Sequence, residues 1–235
     1  MSEADTYVAL DLEMTGLNPK EDRIIEIGAV LVEKGEIKKT FSTFVNPRCQ
    51  LSERITEITG ITQSDVSDAP EIGELLTVLS DFIGDRDLLG HRILSDYSFL
   101  KRAFVNGKMS FEKKGIDTLK LARKYLPELP SKRLPDVCAY YGIAQQAHRA
   151  LEDAMAAHLV YQRLKQDFCR EEAKDFCPQQ LIYKVKKEAP ASKLQKERLS
   201  ALIEKHNLSV TIDVDSMSKN EVSRMTDKIL AKYGR

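Results

Sequence analysis

The sequence predicts an α/β domain built on a mixed five-stranded sheet flanked by helices, followed by a small and mainly helical C-terminal module. Three apolar runs of strand type open the chain without a helix between them. Segments with helical spacing of apolar residues then alternate with two further short apolar runs. A hairpin beside strands that are joined through helices gives a mixed sheet with helices on its faces.

Glycine and proline mark the ends of the predicted elements. Gly35 lies between the second and third apolar runs and indicates a hairpin turn. The five strands are predicted at residues 7–12, 24–32, 39–45, 88–91 and 116–117. The helices of this domain are predicted at residues 70–83, 96–105, 118–125, 134–141 and 150–168.

A change of pattern near residue 170 divides the 235-residue chain, which is long enough for one full domain and a small appendage. We assign residues 1–169 to the α/β domain, 170–190 to a basic linker and 191–235 to the helical module. In the module, Ser218 and Glu221 have the spacing of a capping box that opens a helix.

Charge is unevenly distributed, although the formal net charge of the chain is zero. Residues 1–169 hold 22 basic and 26 acidic side chains, a net of −4, whereas residues 170–235 hold 14 and 10, a net of +4. This asymmetry suits an enzyme that holds metals in one part and contacts phosphates with another. A chance distribution is the alternative interpretation.

Composition and cysteine usage are typical of a soluble globular protein of the cytoplasm. Hydrophobic residues make up 42% of the chain and charged residues 31%. The four cysteines form no CxxC pair and lack zinc-like spacing, which indicates reduced thiols. The acidic start of the chain differs from a signal peptide, and no apolar run has the length of a membrane span, so no membrane partner is expected.

Two acidic residues end the first predicted strand, in the order Asp11-Leu12-Glu13. Residues two apart point to the same face of a strand, so both carboxylates project together. They repel each other unless a cation lies between them, and hard oxygen ligands suit Mg²⁺ or Mn²⁺. A solvent-facing acidic edge is the alternative interpretation.

Asp96, His148 and Asp153 lie near the starts of two predicted helices and can bind metals or carry protons. Asp96 opens a helix, where an N-cap role is the alternative. His148 precedes the long helix and is expected to lean over the site, whereas Asp153 lies in its first turns. For this pair, an exposed histidine and an acid that complements the helix dipole are the alternative. Small residues after Asp153 allow the helix to approach the sheet and bring Asp153 near Asp11.

Together, these four carboxylates and one histidine can hold two divalent cations and leave one base free. Two such cations about 4 Å apart can clamp the attacking and leaving oxygens of a phosphodiester during in-line displacement. His148, whose imidazole can titrate near neutrality, then accepts the proton of the attacking water. The pattern therefore predicts metal-dependent hydrolysis of phosphodiesters.

Three motifs carry a resemblance to a known family: VALDLEMTGLNPKEDRIIEIGAV, LLGHRILSDYSFL and HRALEDAMAAHLVYQRL. Over about residues 5–168 the chain resembles the DEDDh exonucleases, and most closely the group that includes the proofreading epsilon subunit of bacterial DNA polymerase III. The resemblance implies a ribonuclease-H-like fold and 3′→5′ release of nucleoside 5′-monophosphates with two Mg²⁺ or Mn²⁺ ions. The LEMTGL sequence is also similar to oligoribonuclease.

The resemblance also implies roles for individual residues. The implied metal ligands are Asp11, Glu13, Asp96 and Asp153, with His148 as the general base. The implied contacts with the 3′-terminal nucleotide are Met14, Thr15, Leu17 and Ile58. For these last four residues, ordinary packing is the alternative interpretation.

Two features lie outside the family pattern. Arg92 stands where the family usually has Asn, at the turn after the histidine of the second motif, and adds a candidate phosphate contact. The C-terminal module has no clear match. Its basic linker suggests contact with nucleic acid, whereas a solvated run of charge is the alternative.

The leading functional hypothesis is a 3′→5′ exonuclease that acts on the 3′ end of single-stranded nucleic acid, DNA or RNA. An oligoribonuclease-like RNA-trimming enzyme is the nearest alternative, because the choice between DNA and RNA depends on contacts near the 2′ position. A proofreading subunit held to a DNA polymerase is another, with the module as its docking element. A non-catalytic nucleic-acid-binding protein is least favoured, because all five residues of the predicted site are present.

Overall fold

A mixed sheet forms the centre of the main domain. We describe residues 5–144, 149–169 and 174–234 of the protein from a computed structural model. The strands in these ranges are β1 (Tyr7–Met14), β2 (Ile24–Glu33), β3 (Glu36–Phe44), β4 (Asp87–Gly90), β5 (Lys114–Asp117) and β6 (Gln179–Gln180). Their spatial order is β3-β2-β1-β4-β5-β6, and the β1–β4 and β4–β5 pairs are parallel while the other pairs are antiparallel.

The predicted hairpin joins β2 and β3. Lys34 and Gly35 have φ values of 54° and 82°, the left-handed pair typical of a two-residue hairpin turn. A sixth strand joins the five predicted ones, because the middle of the predicted linker pairs with the edge of β5. There the Leu181 N–H donates to the carbonyl of Lys113 at 3.0 Å, and the Leu181 side chain packs where Gly115 has no Cβ.

Helices cover the sheet and form the C-terminal module. The short helices α1 and α2 were not predicted, since neither is long enough to show an apolar period. None of the helices in the described ranges combines the length and apolar character that a membrane crossing requires. The helices are α1 (Glu53–Thr59), α2 (Gln63–Ser67), α3 (Ile72–Ile83), α4 (Leu94–Asn106), α5 (Thr118–Tyr125), α6 (Leu134–Tyr140), α7 (Ala150–Phe168), α8 (Lys193–Lys205) and α9 (Lys219–Tyr233).

Two hydrophobic cores lie on opposite faces of the sheet and follow the alternation of β1. Val8 and Leu10 belong to the core to which α3 and α4 contribute. Tyr7 and Ala9 belong to the core to which α5, α6 and α7 contribute. Because side chains alternate along a strand, Asp11 continues the second series and lies on the α7 face of the sheet.

The C-terminal module has a small core of its own, in which α8 and α9 pack through Leu199, Val222 and Ile229. The predicted capping box is present at the start of α9. The Glu221 N–H donates to the Ser218 hydroxyl at 3.3 Å, and the Ser218 N–H donates to the Glu221 carboxylate at 2.8 Å. The helix start is therefore fixed by local hydrogen bonds, as the sequence predicts.

Candidate active site

Three of the predicted metal ligands meet at the end of β1. One carboxylate oxygen from each of Asp11, Glu13 and Asp153 lies within 4.8 Å of the others. Asp11 and Glu13 are brought together by the period of the strand. Asp153 comes from the first turn of α7, where its N–H donates to the carbonyl of Arg149 at 2.9 Å. The arrangement is a compact group of hard oxygen donors.

Asp96 approaches the same group from α4. The helix begins at Leu94 with Ile93 as its N-cap, so Asp96 lies inside the first turn rather than capping it. Its carboxylate is buried and accepts a hydrogen bond from the backbone N–H of Leu12 on β1. Charge repulsion from Asp96 also raises the pKa of Asp11, which places the two acids in electrostatic contact.

Burial and mutual repulsion shift the protonation of these acids. Desolvation, followed by repulsion from neighbouring carboxylates, raises the pKa of Asp11 well above its usual range. Desolvation is also the main cause that raises the pKa of Asp96. For Glu13, desolvation and the charges of Asp153 and Glu26 raise the pKa to about 7. A bound cation would offset the repulsion between these carboxylates and favour their ionised, metal-binding form.

A glycine on β2 allows α7 to rest on the sheet. Gly28 pairs with Asp11 in the β1–β2 register. A Cβ on Gly28 would lie only 2.1 Å from the backbone of Ala150 and of Leu151. The missing side chain therefore lets the first turn of α7 touch β2 directly, which carries Asp153 to Asp11. The small buried residues that follow Asp153 were predicted to allow this approach, but the role of Gly28 was not.

Glu26 is a second residue whose role the sequence analysis missed. It is only 1% exposed and pairs with Glu13 across the β1–β2 register. Its carboxylate accepts from the Ala150 N–H at 3.0 Å and binds the Arg149 guanidinium at 2.9 Å. That guanidinium also lies over the Phe44 ring, 5.4 Å from its centre. Glu26 thus fixes the start of α7, and a lone acid within the apolar run IIEIGAV was the available signal.

His148, the predicted general base, lies outside the described residues. The three described histidines are engaged elsewhere. His91 donates from Nε2 to the carbonyl of Lys132 at 2.8 Å, and His158 bonds the Tyr7 hydroxyl at 2.8 Å. His206 stacks on a tyrosine ring in the module. Burial lowers the pKa of both His91 and His158, as expected for neutral structural imidazoles.

Comparison with known proteins decides the family. Residues 8–161 match a family model described as exonuclease. The chain belongs to this exonuclease family. The PolC-type DNA polymerase III of Clostridium perfringens is 40% identical over 153 residues, covering 65% of this chain and 11% of that protein. The DNA polymerase III epsilon subunit of Aquifex aeolicus is 34% identical over 165 residues, covering 69% of this chain and 81% of that protein.

Solved structures of exonucleases share the fold. E. coli exonuclease I in complex with a dT13 oligonucleotide has a TM-score of 0.62 at 19% identity, covering 68% of this chain and 41% of that one. Exonuclease X in complex with 5′ overhanging duplex DNA has a TM-score of 0.56 at 25% identity, covering 72% of this chain and 98% of that one. The predicted exonuclease family and α/β fold are confirmed. The chain spans only 11–12% of the length of the first PolC-type relatives, which are much longer proteins.

Three of the four residues predicted to hold a terminal nucleotide follow Glu13 directly in the chain. Met14 ends β1, and Thr15 follows in a loop over residues 15–23 that returns to β2. Leu17, in this loop, and Ile58, on α1, are large apolar side chains left exposed. Exposed apolar surface of this kind suits the face of a base. Their substrate contacts stay a prediction.

The backbone at Arg92 explains why asparagine suits this position. Arg92 has a φ of 72°, in the left-handed region that asparagine tolerates better than arginine. Its N–H donates to the Asp117 carboxylate at 2.9 Å, which holds the turn after β4. The family preference for Asn therefore fits this turn, which the arginine adopts under strain. The Arg92 side chain is exposed, and a phosphate contact through it stays a prediction.

Proposed function

We propose that this protein is a metal-dependent 3′→5′ exonuclease that releases nucleoside 5′-monophosphates from single-stranded DNA. The meeting of Asp11, Glu13 and Asp153 oxygens within 4.8 Å of one another is the observation that supports it most strongly. Membership of the exonuclease family supports the same conclusion.

The acidic cluster suits two divalent cations, Mg²⁺ or Mn²⁺, because it offers only hard oxygen donors whose charges repel one another. Asp11, Glu13, Asp96 and Asp153 would hold them. When bound, such ions stabilise the charge on the attacking and leaving oxygens of the scissile phosphodiester.

Other residues of the chain position the substrate and move the proton. In this proposal, His148 accepts the proton of the attacking water. Thr15 and Leu17 hold the terminal sugar and base from the 15–23 loop, and Met14 and Ile58 complete the apolar contact with the base. Glu26 and Gly28 act indirectly, since they hold α7 and with it Asp153.

DNA is favoured over RNA because the relatives are DNA polymerase III proteins and exonuclease X was solved with DNA. An oligoribonuclease-like enzyme is the alternative. The test compares 5′-labelled single-stranded DNA and RNA of one sequence, with Mg²⁺, with Mn²⁺ and with a chelator. We expect stepwise shortening of the DNA from its 3′ end, with 5′-mononucleotides as products, and none with the chelator. Metal-independent cleavage or release from the 5′ end would overturn the proposal.

A second candidate function is proofreading in association with a DNA polymerase. The match to 81% of the length of an epsilon subunit favours it. We expect the full-length chain to co-purify with a replicative polymerase from its own cell extract if this is so, and to run alone if it is a stand-alone enzyme. Four cysteines that form no CxxC pair and lack zinc-like spacing support a cytoplasmic location for either candidate.

A further inference from the structure

One face of α9 rests on the 15–23 loop. Glu221, Arg224 and Lys228 are spaced i, i+3 and i+7, so they lie on the same side of this helix. Each of them contacts the arm of the loop that returns to β2. The contacts are Glu221 with the Arg23 guanidinium (2.5 Å), Arg224 with the carbonyl of Lys20 (3.0 Å) and Lys228 with the Glu21 carboxylate (3.7 Å).

Hydrogen bonds join the two ends of the 15–23 loop. A contact that fixes the end near Arg23 therefore also restrains the end near Thr15. The Thr15 N–H donates to the carbonyl of Arg23 at 2.8 Å, and the Arg23 N–H donates to the Thr15 hydroxyl at 2.9 Å. The Asp22 carboxylate accepts from the Asn18 N–H at 2.8 Å. It also fills the space beside Gly16, where a Cβ would lie 2.5 Å away. Fixing Arg23 therefore fixes the backbone that carries Thr15.

The central contact of this docking is largely shielded from water. The side chains of Glu221 and Arg23 are 9% and 18% exposed. Arg102 of α4, which is 12% exposed, lies 3.5 Å from Glu221 and 3.2 Å from Glu188. Burial favours the protonated form of Glu221, but the charge of Arg23 and several hydrogen bonds outweigh it and lower its pKa. A shielded ion pair of this kind is far less screened by salt than a surface pair.

The same network reaches a second element of the active site. Arg102 belongs to α4, the helix whose first turn carries Asp96. The acids themselves are held by other means. Asp11 and Glu13 lie within a paired strand, and Asp153 lies on a helix fixed by Glu26. Asp96 is buried in the first turn of α4, about two turns before Arg102. Loss of the docking contact is therefore expected to loosen the loop and leave the acids in place.

We propose that the C-terminal module braces the 15–23 loop through Glu221 and thereby sets the affinity of the enzyme for the 3′-terminal nucleotide. Glu221 is a positioning residue, because it acts on substrate through the loop. This inference rests on the proposed function, in which Thr15 and Leu17 contact that nucleotide. It assigns the module a role within the chain itself, without requiring that the module touch DNA or a polymerase.

The test compares Glu221→Gln with Asp227→Asn in the full-length protein. Glutamine keeps the capping box at the start of α9 but loses the charge that binds Arg23. Asp227 is an exposed acid on the same helix, so its replacement removes an equal charge without touching the loop. We expect Glu221→Gln to raise KM for a single-stranded DNA about fivefold to tenfold and leave kcat within about twofold, and Asp227→Asn to change neither.

Hydrogen exchange of the loop amides gives a readout that does not need activity. We expect faster exchange across residues 15–23 in Glu221→Gln than in the wild type, with unchanged exchange in β1. Unchanged exchange and KM in Glu221→Gln would overturn the brace. A protein that cleaves no DNA would instead contradict the proposed function, and the exchange measurement would still decide the brace.

One further variant keeps the proposal testable if Glu221→Gln folds poorly, and a double variant sharpens the test if it folds. Arg224→Gln removes the bond to the Lys20 carbonyl and a 3.9 Å contact with the Glu21 carboxylate, and we expect a KM about twofold to threefold higher. Where Glu221→Gln folds, adding Arg23→Gln to it should raise KM no further, because Glu221→Gln already removes the contact with Arg23. Additive effects of the two changes would contradict the proposal.

Discussion

Asp11 is surrounded by carboxylates, so its charge destabilises the protein in the absence of metal. Desolvation, followed by repulsion from the neighbouring carboxylates, raises its pKa well above the usual range. We predict that Asp11→Asn lowers metal-dependent hydrolysis by roughly two to three orders of magnitude. The same change should raise the stability of the metal-free protein by about 1 kcal/mol, because it removes repulsion. Activity assays and urea unfolding in chelator test both effects.

The control is Asp81→Asn, an exposed acid on α3 that is not among the predicted site residues. It should leave activity and stability unchanged. A metal-free Asp11→Asn protein that is less stable than the wild type would show that Asp11 is not under repulsion.

Glu13 links metal binding to pH. Burial and neighbouring charges raise its pKa from 4.5 to about 7. The folded state therefore favours the protonated Glu13 carboxyl. The stability that this preference adds is fully present below pH 4.5, the pKa in the unfolded chain, and it is lost as pH rises through about 7, the pKa in the folded protein. Because a cation needs the carboxylate, we predict that the rise in Tm on adding Mg²⁺ is small at about pH 5.5 and large at about pH 8. Thermal melts with and without Mg²⁺ measure it, and Glu13→Gln should weaken the pH dependence.

At the scale of elements, the contact between α7 and β2 depends on Gly28. A Cβ there would lie 2.1 Å from the backbone of α7, so the helix must move. We predict that Gly28→Ala lowers the free energy of unfolding by about 3 kcal/mol and, by displacing Asp153, lowers kcat roughly a hundredfold. The matched control is Gly73→Ala, inside α3 with nothing within 4 Å. It should stabilise the protein by about 0.5–1 kcal/mol.

The turn after β4 carries strain at Arg92, whose φ is 72°. Asparagine occupies the left-handed region at lower cost than arginine. We predict that Arg92→Asn raises the free energy of unfolding by about 1 kcal/mol, measured from urea midpoints. The same replacement at Arg163, an exposed position within α7, should instead lower it by a few tenths. Equal effects at both positions would rule out a backbone cause.

At the scale of the whole molecule, the module has a much smaller core than the main domain. Its described core contains five buried hydrophobic side chains, and it meets the main domain largely through charged and backbone contacts. We predict that amides of α8 and α9 exchange through an opening of lower free energy than amides of β1 and β2. Native-state hydrogen exchange measures both. Equal protection in the two regions would show that they unfold together.

Local patterns in the sequence predicted much of the fold and the acidic site. Asp11 and Glu13 share a strand face because the period of two is a local property of the backbone. The capping box of Ser218 and Glu221 is equally local, and the structure confirms it. The two-residue strand β6 could not be predicted, because so short a segment has no pattern of its own and pairs only when β5 offers an edge.

The sequence by itself determined the identity and order of the acids and, through its motifs, the exonuclease family. Only the tertiary structure decided what holds those acids together and what holds the 15–23 loop. Glu26 meets the start of α7 at Ala150, which lies 124 positions away, and Glu221 meets Arg23, which lies 198 positions away. Such contacts form when helices pack on the faces of the sheet and the module packs on the main domain. That packing, rather than any local period, determines which distant side chains meet.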